Sequence, residues 1–305
     1  MNSSSRFCRR LLAMALGALG TGSALAQGTP PAAAKAPEPD YTLTGNFGIY
    51  SQYIFRGLTQ TDAKPAFQGG FDFAHKNGFY LGTWGSNISW LHDSGVCAHG
   101  CSLEWDFYGG WKYAFNDDWG VDVGVLYYYY PGSYVSGATK PDTTEVYIAG
   151  SWKWASLKYS YSLDNTFGVP DNAWYLDLTA NYPVTDAWTI NGHAGRQEYQ
   201  GSTNGVSNSV LNYTDWKLGV TYAFSGWNIG GYYTDTNAKS SVYTIAGRNI
   251  GKSHEYGTRR RRRSDPRSPG SASRDHKDGP AGREKDFLVP SLQAVRSAYV
   301  SPSGG

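Results

Sequence analysis

The sequence predicts an all-β chain, a transmembrane antiparallel up-and-down β-barrel of twelve strands, of which eleven can be read. Three observations carry that expectation. Apolar and polar residues alternate with period two through the body, long connections alternate with tight turns, and the chain opens with an export signal.

The export signal occupies residues 1–26. Arg6, Arg9 and Arg10 form a positive start, and Leu11 to Leu19 is a short apolar stretch. Ala24-Leu25-Ala26 supplies the small-x-small pattern before cleavage at Gln27. The apolar stretch falls short of the roughly 20 residues a membrane-spanning helix needs. Residues 27–40 follow as an Ala/Pro-rich linker with too little apolar content to bury a core. From Tyr41 the texture turns aromatic and Gly-rich.

Residues 41–252 are the predicted barrel. Between Leu103 and Phe115 one face reads Leu103, Trp105, Phe107, Gly109, Trp111, Tyr113 and Phe115. The other reads Glu104, Asp106, Tyr108, Gly110, Lys112 and Ala114. Thr214 to Phe224 repeats the pattern, with Trp216, Leu218, Val220 and Tyr222 set against Asp215, Lys217, Gly219 and Thr221. Only a strand alternates this way, with side chains pointing to opposite faces in turn. The predicted spans are 41–56, 65–74, 79–90, 102–115, 119–130, 143–154, 156–163, 173–182, 188–196, 213–224 and 227–235. Many are close to the 9–11 residues a tilted barrel strand needs to cross a bilayer.

The connections sort by parity. After strand one they run long, short, long, short, from Gly57–Lys64 through a bare turn at Ala155 to Ser225-Gly226 and the last long loop. Outer-membrane barrels have short periplasmic turns and longer extracellular loops, whereas a Greek-key sandwich has no reason to sort its loops. Trp119, Trp152, Trp154, Trp188 and Trp227 stand beside the short turns, where an interfacial girdle would lie.

Composition agrees. Aromatics make up 15% of the chain and charged residues only 17%. No stretch from Tyr41 onward holds 18 uninterrupted apolar residues, which excludes a helical membrane protein. Residues 27–251 hold 12 Lys/Arg against 19 Asp/Glu, and residues 252–305 hold 12 against 6. The net basic balance therefore belongs to the ends.

Alternation names the residues expected to line the interior. The acids are Asp72, Glu104, Asp106, Asp122, Asp177 and Asp215; the bases are Arg56, Lys112, Lys153, Lys158 and Lys217; His193 joins them. Arg56, Glu104 and Asp106 are expected near the outer mouth. Six acids against five bases give no ion selectivity by count. Cys97 and Cys101 remain after the signal is removed, and in an oxidising compartment they are expected to form a disulfide rather than a metal site.

The stretch from Leu43 carries a resemblance. Ser51, Tyr53, Phe55, Arg56 and Gly57 form an S-x-Y-x-F-R-G motif. Pro65, Gln68, Gly69 and Gly70 open the second strand, and Glu104, Asp106, Tyr108, Gly109 and Gly110 mark the fourth. Together, over about 41–251, they resemble the TorF porin family. That resemblance implies an outer-membrane barrel passing ions or small hydrophilic solutes. A plugged barrel serving as adhesin or scaffold is the alternative, with a barrel enzyme the more remote one.

No catalytic, cofactor or metal motif is present: there is no G-x-S-x-G, H-E-x-x-H or phosphate loop. The implied partners are outer-membrane lipid and the solute. The Arg259–Arg263 run, standing alone, is weak evidence for nucleic acid. Gly247 to Lys252 could begin a twelfth strand, but residues 253–305 read as a basic low-complexity tail. Five arginines where an apolar-out strand is needed suggest a shifted reading frame.

Overall fold

The computed structural model describes residues 39–252 and the pair 290–291. The export signal, the linker as far as residue 38 and the rest of the tail lie outside the described residues. Eleven strands form one antiparallel sheet in sequential order. They are β1 (Tyr41–Tyr50), β2 (Ala66–His75), β3 (Phe79–Asn87), β4 (Leu103–Ala114), β5 (Trp119–Tyr129) and β6 (Thr143–Trp152). Then come β7 (Ala155–Ser162), β8 (Ala173–Pro183), β9 (Trp188–Tyr199), β10 (Tyr213–Phe224) and β11 (Trp227–Thr236).

The sheet is inside-out relative to a soluble core. Its outward face is apolar and exposed: Phe71 is 65% exposed, with Phe67, Ile148, Leu178 and Leu218 similarly bare. Its inward face buries Glu104, Glu145, Gln197 and Asp215. Because the side-chain period is two, a one-residue slip would exchange these faces, so the alternation itself holds the register. The short turns also contribute. Ser225 and Gly226 both have positive φ, the conformation a two-residue hairpin of the favoured type requires.

Three differences from expectation have local causes. The first strand ends at Tyr50, not at residue 56, because Ile54–Phe55 turns back to pair with Leu58–Thr59. The turn after β6 is Lys153-Trp154, with Lys153 at positive φ, so Ala155 already belongs to β7. Gly247 to Lys252 does not begin a twelfth strand: Arg248–Asn249 pairs with Thr244–Ile245 as a hairpin of the last loop.

At the seam, the ring of Phe47 on β1 meets Trp227 on β11 edge to face, 5.6 Å between centroids. Pro290–Ser291 pairs with Gly231 and Gly230 of β11, in the position of a twelfth strand. The long loops support one another. Cys97 and Cys101 are joined by a disulfide, Cα atoms 5.9 Å apart, and Cys97–His99 pairs with Ser133–Tyr134 of the next long loop.

Candidate functional site

The loop after β1 turns into the barrel rather than away from it. Ile54–Phe55 and Leu58–Thr59 form a hairpin whose tip is Arg56-Gly57, at φ 47° and 78°. Two successive positive φ values make the tight turn, and Arg is an unusual residue to supply one of them. The tip lies against β10 and β11, beside the seam. A Cβ on Gly57 would stand 2.5 Å from the Cβ of Asp215 on β10.

Arg56 is the pin of this hairpin. Its Nη2 donates to both carboxylate oxygens of Glu145 on β6, at 2.9 and 2.8 Å, and its Nη1 donates to Gln197 Oε1 on β9 at 2.9 Å. The guanidinium also lies 4.3 Å from the centre of the Tyr175 ring and 4.8 Å from that of Phe55. A guanidinium keeps its charge in proteins, and its hydrogen bonds to a carboxylate are charge-assisted and stronger than neutral ones.

The rest of the loop is held as firmly. Tyr53 Oη donates to Glu104 Oε1 at 2.6 Å, and Tyr130 Oη donates to Glu104 Oε2 at 2.9 Å. Tyr53 and Ala66 pack with Ile88, Leu91, Cys101, Tyr128 and Tyr130. Leu58 packs with Tyr213, Ala238 and Tyr243, and Asp62 pairs with Arg248 of the last loop. The long-loop end of the interior is thus filled from several sides.

Toward the short turns the interior is polar and half-exposed. Lys112 stands opposite Asp122, Asp122 opposite Ala149, Ala149 opposite Lys158, and Lys158 opposite Asp177. The ladder continues through Gly195 to Asp215. Charge alternates from Lys112 to Asp177, and Lys112 Nζ lies 3.6 Å from Asp122 Oδ2. Lys158 sits over the Tyr147 ring at 3.9 Å and Lys217 over Tyr232 at 5.1 Å. His193 bridges Asp177, at 3.2 Å, and Asp215, at 2.8 Å. Tyr108 Oη donates to Asp72 at 2.6 Å.

Of the residues expected inside, Asp72, Glu104, Asp106, Lys112, Asp122, Lys158, Asp177, His193, Asp215 and Lys217 stand on inward strand positions. Arg56 is at the hairpin tip, deeper than the mouth where it was expected. Lys153 is the exception. It lies in a turn, exposed, with its Nζ 3.6 Å from Asp118 of the neighbouring turn. Two partners of Arg56 went unnamed from the sequence. Glu145 shares its strand face with Tyr147 and Ala149, so alternation points to it; Gln197 lies just past the ninth span expected at 188–196, whereas β9 runs on to Tyr199.

Among solved structures the chain is similar to the KdgM porin in complex with disordered oligogalacturonate. Identity is 11%, with 65% of this chain and 91% of that one covered, at a TM-score of 0.39. It is also similar to the NanC porin, at 12% identity, 68% and 93% coverage and a TM-score of 0.41. A mutant of the Rh. blastica porin follows at 12% identity, 65% and 85% coverage and a TM-score of 0.28. The likeness is one of fold. No curated protein matches the chain in sequence. Residues 33–257 match the Gcw_chp family throughout the described barrel. The chain therefore belongs to the Gcw_chp family, bacterial proteins of unknown function.

Proposed function

We propose that this protein is an outer-membrane channel of the porin type, passing ions or small hydrophilic solutes, and closed at its long-loop end by the Arg56 hairpin. The observation that carries the reading is the pairing of an exposed apolar outer face with a half-exposed ladder of charges inside. An apolar exterior suits hydrocarbon, and a polar lumen suits water and solute. The TorF-like motif supports it in a specific way, since its Tyr53, Phe55, Arg56 and Gly57 build and seat the hairpin. Lys112, Asp122, Lys158, Asp177 and Lys217 are then pore-lining. The hairpin also favours a second reading, a permanently plugged barrel. Single-channel recording on the refolded full chain in planar bilayers separates them: discrete conductance steps are expected, and an electrically silent protein under every voltage applied rejects the channel.

The export signal expected at 1–26 and the loop parity support an orientation with the long loops outside the cell. A cysteine introduced at Gly205 should react with a membrane-impermeant maleimide on whole cells, and one at Asp117 should not. The reverse labelling pattern would overturn the orientation.

A further inference from the structure

Three carboxylates meet inside the barrel where the hairpin docks. Glu104 and Asp106 lie two residues apart on the inward face of β4, 1% and 7% exposed, and Glu145 on β6 is 2% exposed. They are neighbours across β5. Asp106 stands opposite Tyr128, and Tyr128 Oη donates to Glu145 Oε2 at 3.3 Å. Among the described residues, the base paired with any of the three is Arg56, through Glu145. Glu104 is satisfied by two tyrosine hydroxyls, but Asp106 Oδ1 is buried and makes no hydrogen bond. A buried carboxylate oxygen without a donor costs free energy, and a bound group that brings one offsets that cost.

Positive charge is the complement the cluster lacks, and the chemistry of its surroundings narrows the class. Tyr53, Tyr128 and Tyr130 border it, and aromatic faces attract organic cations. No group of His, Cys, Asp and Glu among the described residues is arranged to hold a metal ion. We infer that the Glu104–Asp106–Glu145 cluster is a binding site for a small organic cation of the guanidinium or ammonium type, and that Arg56 occupies part of it as an internal stand-in. Arg56 displays the mode of capture: one nitrogen on both oxygens of a carboxylate, a second on Gln197, and rings nearby. An entering guanidinium donates to Asp106 and competes with Arg56 for Glu145, which loosens the hairpin. The inference deepens the channel reading and rests on it for the route of entry, but its test reads binding and not current.

The test is calorimetric titration of methylguanidinium chloride into the refolded full chain in detergent, with sodium acetate and calcium chloride as comparison salts. Wild-type protein should bind methylguanidinium and not acetate. Asp106→Asn, shown to be folded by its heat-modifiable gel migration, should bind at least about tenfold more weakly, the loss of one charge-assisted contact. Arg56→Ala should bind at least about tenfold more tightly, because the internal competitor is gone. Should Asp106→Asn fail to fold, Glu104→Gln takes its place and the Arg56→Ala arm still decides. Equal affinity in wild type and both variants, no binding to Arg56→Ala, or binding of calcium alone would each overturn the site. A protein that binds methylguanidinium but never conducts refutes the channel and leaves the site; one that conducts but never binds does the opposite.

Discussion

Replacing Arg56 by alanine is expected to convert a mostly closed protein into a mostly open one. In the closed form the guanidinium satisfies Glu145 with two hydrogen bonds and Gln197 with a third, all in the buried interior. Removing one partner of such a pair leaves the other charge buried and uncompensated, at a cost of about 3–5 kcal/mol. That cost falls on the closed state alone, because a released hairpin leaves Glu145 free to hydrate. A shift of about 3 kcal/mol changes the open-to-closed ratio more than a hundredfold. Single-channel recording should therefore show long openings in Arg56→Ala where wild type shows brief ones. Arg56→Lys should fall between the two, since an ammonium keeps the charge but cannot offer the planar fork that meets both Glu145 oxygens and Gln197. Unchanged open probability in Arg56→Ala would mean that the hairpin is held by its packing and not by its pin.

How much of this was readable beforehand depends on whether a residue's role was set by its neighbours in sequence or across the sheet. The strands were readable because each one repeats its own instruction every second residue: Trp216, Leu218 and Val220 outward, Asp215, Lys217 and Gly219 inward. Loop parity gave the order of the wall for the same local reason. The inward hairpin was not readable. Tyr53 and Phe55 continue the alternation of β1, so nothing at Ser51 or Gln52 announces a break, and Arg56 is no signal for a tight turn. What folds the loop inward lies far along the chain, in Glu104, Glu145, Gln197 and Asp215, 48 to 159 residues beyond Arg56. Alternation names Glu104 and Asp215 as interior residues, but it does not say that a loop comes to meet them. Lys153 shows the opposite failure. A two-residue turn offset the strand end, and alternation extended through it assigned a face to a residue that has none.

Gly57 gives the second large effect, and it separates the shape of the hairpin from its charge. At φ 78° this residue sits where side chains are strained, and a Cβ there would lie 2.5 Å from the Asp215 Cβ and 3.2 Å from the Thr236 Cβ. Those atoms belong to the bases of side chains on β10 and β11, so they cannot swing aside as the end of a flexible chain would. Gly57→Val adds a β-branched side chain to this contact. The left-handed backbone costs about 1–2 kcal/mol for a residue with a Cβ, and overpacking adds about 1–3 kcal/mol more. Together these rival the loss of the Arg56 pair, although Arg56 and Glu145 are both still present. The expected result is an open probability close to that of Arg56→Ala. A second readout comes from trypsin, which cleaves after arginine. In the docked hairpin Arg56 is buried beneath its partners, so cleavage there should be slow in wild type and at least about tenfold faster in Gly57→Val, tracking the population of the released loop. Cleavage after Arg196, on the exposed side of β9, serves as the measure of unfolding of the wall. If Gly57→Val keeps wild-type conductance and Arg56 stays resistant to trypsin, the tip accommodates a side chain after all, and the hairpin is a fixed plug rather than a gate.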